Sequence, residues 1–174
     1  MLGRVLVAGI ALLVLGYVGG AAYTLNRASL DTVVMCAAGE RGLYIPAVGC
    51  RAYLKSVGAT YAPQEKSAAL AAALALYSRA QDPAARALSL EQAALLLEQG
   101  ADVDGLSPYD GLRPLHAAVI ANEPELVRYL RGKGANTAAR DAQFDKTPLE
   151  LANWLETTKQ LDLGAVRQAL TASP

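Results

Sequence analysis

Histidine occurs once in this chain of 174 residues, as His116, and cysteine twice, as Cys36 and Cys50. A lone imidazole and two thiols, far apart in sequence, fall short of the four ligands of a structural zinc site. No metal and no cofactor is expected. Hydrolytic chemistry lacks its parts as well. Gly105-Leu106-Ser107-Pro108-Tyr109 has no second glycine to form a nucleophile elbow. Gly100-Ala101-Asp102-Val103-Asp104-Gly105 carries two carboxylates without the later glutamate of a calcium loop. No dinucleotide or phosphate-loop glycine pattern occurs outside an N-terminal apolar run, so the chain is read as neither an enzyme nor a binder of small-molecule substrates.

Charge of one sign is also missing. The 16 Lys and Arg balance 16 Asp and Glu, and the basic residues form no run. Binding to nucleic acid or to anionic lipid headgroups requires clustered cations, and neither is expected here.

What the chain does have, first, is an apolar run. Val5 to Leu25 are 21 consecutive positions without a formal charge. At about 1.5 Å per residue these match a bilayer core of roughly 30 Å. The expectation is a transmembrane helix over 5–25 behind a short cytoplasmic stretch, 1–4. Arg4 and the α-amino group then hold the N-terminus inside, so that the inner membrane anchors the chain and the remainder lies in the periplasm. Gly20-Ala21-Ala22 offers a cleavage site, and release as a periplasmic or secreted domain is the alternative. Gly9, Gly16 and Gly20 share one face of this helix, where a close contact between small residues is possible.

Cys36 and Cys50 follow closely, in a segment with Gly39, Gly42, Pro46 and Gly49. In an oxidising compartment the expected state is a disulfide between Cys36 and Cys50, closing a loop and contributing about 3 kcal/mol in the chain-entropy model; the alternative is two buried free thiols.

The strongest signal is internal repetition. Gly100-Ala101-Asp102 recurs as Gly134-Ala135-Asn136, and Arg113-Pro114-Leu115 as Thr147-Pro148-Leu149, each at an offset of 34 residues. Glu125-Leu126-Val127-Arg128-Tyr129-Leu130 matches Glu91-Gln92-Ala93-Ala94-Leu95-Leu96 at the same offset. Pro114 and Pro148 suit the first turn of a helix, and Leu115, Ala118 and Val119 follow at helical spacing. Asn122 ends that helix in the left-handed conformation, Pro124 starts the next, and Leu126, Val127 and Leu130 face the first. Gly134 closes the second helix, and the polar stretch from Asn136 to Lys146 runs outward as a turn.

A helix-turn-helix followed by an extended turn, with Pro114-Leu115-His116-Ala117-Ala118 and Gly100-Ala101-Asp102-Val103 as its motifs, resembles the ankyrin-repeat family. The resemblance is clearest from Leu90 to Trp154. It implies an all-α fold: a short solenoid of about three repeats with a divergent N-terminal cap, preceded by the transmembrane helix. It also implies that His116 is the family's structural histidine, bonded to neighbouring backbone. Departures are Arg113 in place of threonine, Asp145 in place of glycine, and a stretch from Gln81 to Ser89 that reads as a long connection. Lys66–Ala80 reads as a first helix and Gly164–Thr171 as a closing one. The expected organisation is a cap over 26–63, containing the two cysteines, and a repeat domain over 64–174.

Repeat stacks present protruding turns, and the resemblance implies a protein partner. The turns would carry Leu106, Ser107, Pro108, Tyr109 and Asp110, then Arg140, Gln143, Phe144 and Asp145. Of these, Tyr109 and Phe144 are the expected anchors, since an aromatic at a turn tip has little core to fill. The expected role is that of a protein inhibitor, similar to immunity proteins that neutralise envelope-acting toxins such as phospholipases. A scaffold that docks an envelope enzyme or membrane complex is the alternative.

Overall fold

Proline sets the frame. In the computed structural model, which describes residues 2–40 and 44–172 with side chains from residue 10 onward, five helices begin on a proline. The elements are α1 (Leu2–Arg27), α2 (Leu30–Ala37), α3 (Ala47–Val57), a 3₁₀ turn (Gly58–Thr60), α4 (Pro63–Arg79), α5 (Pro83–Glu98), α6 (Pro114–Ile120), α7 (Pro124–Gly132), α8 (Pro148–Lys159) and α9 (Gly164–Thr171). Strands are absent among the described residues. A proline at the first helical position has no N–H to leave unpaired and a φ already set for the helix. Asp82 caps α5 by accepting from the Ala85 amide at 3.0 Å. Thr147 and Glu150 form a reciprocal capping box on α8, with Glu150 N–H to Thr147 Oγ1 at 3.3 Å and Thr147 N–H to Glu150 Oε2 at 2.9 Å.

Helix ends are equally explicit. Gly100 and Gly134 both sit at φ 90°, and the amides that follow reach back five residues, Ala101 to the Leu96 carbonyl at 2.9 Å and Ala135 to Leu130 at 3.0 Å. Asn122, at φ 56°, ends α6 in the same way, with Glu123 N–H to the Ala118 carbonyl at 3.1 Å.

Four antiparallel pairs result: α2/α3, α4/α5, α6/α7 and α8/α9. Their first helices stack in one row, α2 on α4, α4 on α6 and α6 on α8, while α7 packs on α9 in the second row. Leu30 and Val33 of α2, Leu70 of α4, Leu115 of α6 and Leu151 of α8 are at most 1% exposed and join one apolar core. The far end of the stack presents Asn153, Thr157 and Gln168, the polar surface a terminal repeat needs.

The pair α2/α3 continues the row, and Cys36 and Cys50 join its two helices by a disulfide with Cα atoms 5.9 Å apart. Lys66 fastens this pair to the next. Its ammonium donates to the Ala59 carbonyl at 2.8 Å and to the Gln99 carbonyl at 2.9 Å, at the ends of the second helices of both pairs.

Two expectations are corrected. The first is the transmembrane helix over 5–25. Among the described residues no helix is long and apolar enough to cross a membrane, and a membrane partner is not supported. From residue 10 on, the apolar run of α1 is diluted by Gly16, Tyr17, Gly19, Gly20, Tyr23 and Thr24 and ends in Asn26-Arg27. Its last leucine, Leu25, is 5% exposed and belongs to the core of the stack. Met1 lies outside the described residues, as does Gly42, and the side chains of 2–9, with the orienting charge of Arg4 and the face at Gly9, are likewise outside them. The second correction is the long connection over Gln81–Ser89. Three residues join α4 to α5, because Pro83 and the Asp82 cap start α5 early, and Ala84, Ala85, Arg86 and Ala87 are good helix formers.

Candidate functional site

The two protruding turns, 101–113 and 135–147, are braced against each other from their bases. Asp104 accepts from the Asn136 amide at 3.0 and 3.2 Å. Arg113 donates through Nε to the Arg140 carbonyl at 2.8 Å and through Nη1 to the Asp104 carbonyl. The arginine that replaces threonine at this position thus bonds to both turns.

His116 lies beneath them, fully buried. Its Nε2 stands 2.8 Å from the Lys146 carbonyl oxygen, and that acceptor makes Nε2 the protonated nitrogen. Asp141 Oδ2 is 3.5 Å away, while Asp141 Oδ1 accepts from the amides of Gln143 and Phe144 at 2.7 and 2.6 Å. Burial pushes the imidazole pKa below its ordinary value, against the Lys146 carbonyl and the Asp141 carboxylate, which raise it. A neutral ring sealed in the core and bonded to backbone holds a turn in place.

The anchors expected at the turn tips fare differently. Leu106, Pro108, Asp110, Gln143 and Asp145 are exposed, with Leu106 at 44%. Tyr109 is 65% exposed, yet its hydroxyl donates to Asp31 Oδ2 of α2 at 2.5 Å, so the tip is tied to the first helix pair. Desolvation raises the Asp31 carboxyl pKa, but hydrogen bonds from Ser29 and then Tyr109, with backbone bonds, outweigh it and hold it below its usual value. Arg140 donates to the Asp145 carbonyl and faces Glu150 at 3.3 Å. Phe144 is half-buried, not a free anchor: its ring packs on Trp154 of α8 with centroids 5.7 Å apart, against the core. The tip folds back because α8 offers an apolar ring within reach. Asp145, at φ 50°, occupies a left-handed backbone position.

A surface that the turn-centred reading missed lies between the first helices. α4 and α6 enclose an open cleft of about 320 Å³, with Ala71, Leu74 and Ala75 on one side, Ala117, Ile120 and Ala121 on the other, and Arg79 and Asp110 at its rim. The signal was present in the sequence as two alanine pairs four residues apart, Ala71/Ala75 and Ala117/Ala121, which put small side chains on one face of each helix.

Paired helices stacked in two rows and joined by braced turns define a helical repeat solenoid, a class whose members generally serve as non-enzymatic interaction modules. Within that class, residues 84–131, from α5 through α7, match the family model of ankyrin repeats (many copies). Two similar proteins are the ankyrin repeat and SOCS box protein 6 of Mus musculus, 38% identical over 61 residues, and that of Homo sapiens, 37% identical over 67 residues. The matched stretches are 35% and 38% of this chain and 15% and 16% of those proteins. No solved structure matches.

Proposed function

We propose that this chain acts by occupying the surface of a protein partner, using the cleft between α4 and α6 together with the exposed tips of the two turns. The single observation that carries the reading is that cleft. Ile120, Leu74 and four alanines leave an apolar trough open to solvent on the row of first helices, at the base of the projecting turn 101–113. Small side chains let another chain approach closely, and an exposed apolar trough with a polar rim is the expected anatomy of an interface. The partner class is protein, in keeping with the repeats over 84–131.

The finer reading is an inhibitor, akin to an immunity protein against an envelope-acting toxin such as a phospholipase, working in an oxidising compartment such as the periplasm. Its supports are the buried disulfide across α2 and α3 and an open cleft with a largely apolar lining that another protein chain could cover. The test is affinity purification with the full chain from envelope extract, beside Ala75→Arg and Ile120→Glu. One partner retained by the parent and lost by both variants, whose activity falls when the chain is added, is expected. A partner whose activity is unchanged refutes inhibition, and equal capture by the variants refutes the cleft.

A further inference from the structure

A second groove lies on the opposite row, between the second helices α3 and α5, with a volume of about 460 Å³. Its walls are charged unlike each other. Arg51 and Lys55 line the α3 side, and Glu91 and Glu98 the α5 side, all four exposed. No ion pair of 4.0 Å or less joins them, whereas the chain pairs Arg86 with Glu123 at 2.7 Å across neighbouring helix pairs. Gln99 fastens one end of the groove, donating through Nε2 to the Leu54 and Lys55 carbonyls at 3.0 and 3.4 Å. Further along, Val48 at 64% exposure, Leu88 and Leu95 make its apolar surface.

Gln92 lines the groove between Leu88 and Leu95. The residue is 3% exposed, and neither Nε2 nor Oε1 of its carboxamide has a hydrogen-bond partner in the protein. A buried polar group left unpaired is destabilising, so a fold that keeps two such atoms at one side chain carries a penalty that an apolar residue of the same size would avoid. A carboxamide offers an NH2 donor group and a carbonyl acceptor side by side in one plane. A peptide group in extended conformation presents the matching pair, whereas a helix has its backbone groups already bonded.

We propose that the α3–α5 groove is a second docking site, separate from the cleft between α4 and α6, for an extended peptide segment of a protein partner. The segment places a peptide group on the Gln92 carboxamide once that amide turns outward, an acidic side chain beside Arg51 and Lys55, and a basic one beside Glu91 and Glu98. The first pairing answers the unbonded amide, and the other two answer the charges held apart across the groove.

Two measurements on the full chain test it. Gln92→Met keeps the length and apolar volume of the side chain and removes both polar atoms. The free variant should melt higher, by about 2–4 °C, because an unpaired buried group is gone. A displayed library of random unstructured dodecapeptides, selected on the parent, should yield sequences carrying both an acidic and a basic residue. Their affinity should fall at least tenfold in Gln92→Met and in Lys55→Glu and stay within twofold in Ala75→Arg. A lower melting temperature for Gln92→Met means that an internal water or a protein group satisfies the amide, and overturns the proposal. So does a selection that enriches nothing, or peptides that bind Gln92→Met and Lys55→Glu as tightly as the parent. Peptides lost only in Ala75→Arg belong to the cleft and also overturn it, while leaving the cleft reading intact.

Discussion

His116, fully buried, and Lys146, thirty positions apart in the chain, are joined by a 2.8 Å hydrogen bond from the imidazole Nε2–H to the lysine carbonyl. The bond ties α6 to the turn that leads into α8. Because the chain contains one histidine, its protonation can be followed without interference from another imidazole.

Burial lowers the His116 pKa in the fold below 6.5, its value in the unfolded chain. Between the two values the unfolded chain binds a proton that the folded chain does not, so unfolding becomes more favourable as pH falls. The contribution is full above pH 6.5 and is lost progressively below it. Urea unfolding at pH 7.5, 6.5 and 5.5 should show stability falling on the acid side. In His116→Gln the slope over that window should flatten, at the expense of a lower stability at pH 7.5.

The disulfide joins two helices that stack on the rest of the row through α2. Cys36→Ser and Cys50→Ser should each lower stability by about 2–4 kcal/mol, and the double variant should be no worse than either single one, since either change removes the same loop closure. Chemical unfolding with and without reductant measures this. A pair of free thiols detected in the native protein contradicts it.

Phe144 and Trp154 should behave as a packing pair. Phe144→Ala is expected to cost about 1–3 kcal/mol, less than the roughly 2–5 kcal/mol of Leu115→Ala in the sealed core. A double-mutant cycle with Trp154→Ala should return a coupling of about 0.5–1.5 kcal/mol. Tyr109→Phe, which removes the bond to Asp31 and leaves the ring, should shift the melting temperature far less than Leu115→Ala.

The parts of the fold that were legible in the sequence are those encoded locally. A proline at a first helical position and a glycine or asparagine at a left-handed one act through their own backbone, so Pro114, Pro148, Asn122, Gly100 and Gly134 could be placed without knowing what they pack on. The features that were not legible depend on distant contacts. Phe144 turns inward because Trp154, ten residues on in another element, receives its ring. Tyr109 reaches Asp31 across 78 residues. The apolar run of α1 met a length rule, but its glycines, tyrosines and polar end weaken it as a span, and Leu25 is used by the core. The cleft was overlooked for a related reason: alanine carries no chemistry of its own, and a row of alanines becomes a surface only when two helices set them side by side.

A protein partner seated on the row of first helices, as proposed, would shield the amides of that row from solvent. Amide hydrogen exchange of the full chain, alone and saturated with the partner retained in affinity purification, tests it without any substitution. Added protection concentrated in residues 71–79 of α4 and 114–121 of α6 with its end, extending to the tip around 106–110, is the predicted result. Protection absent from α4 and α6 in a complex that demonstrably forms would contradict the account.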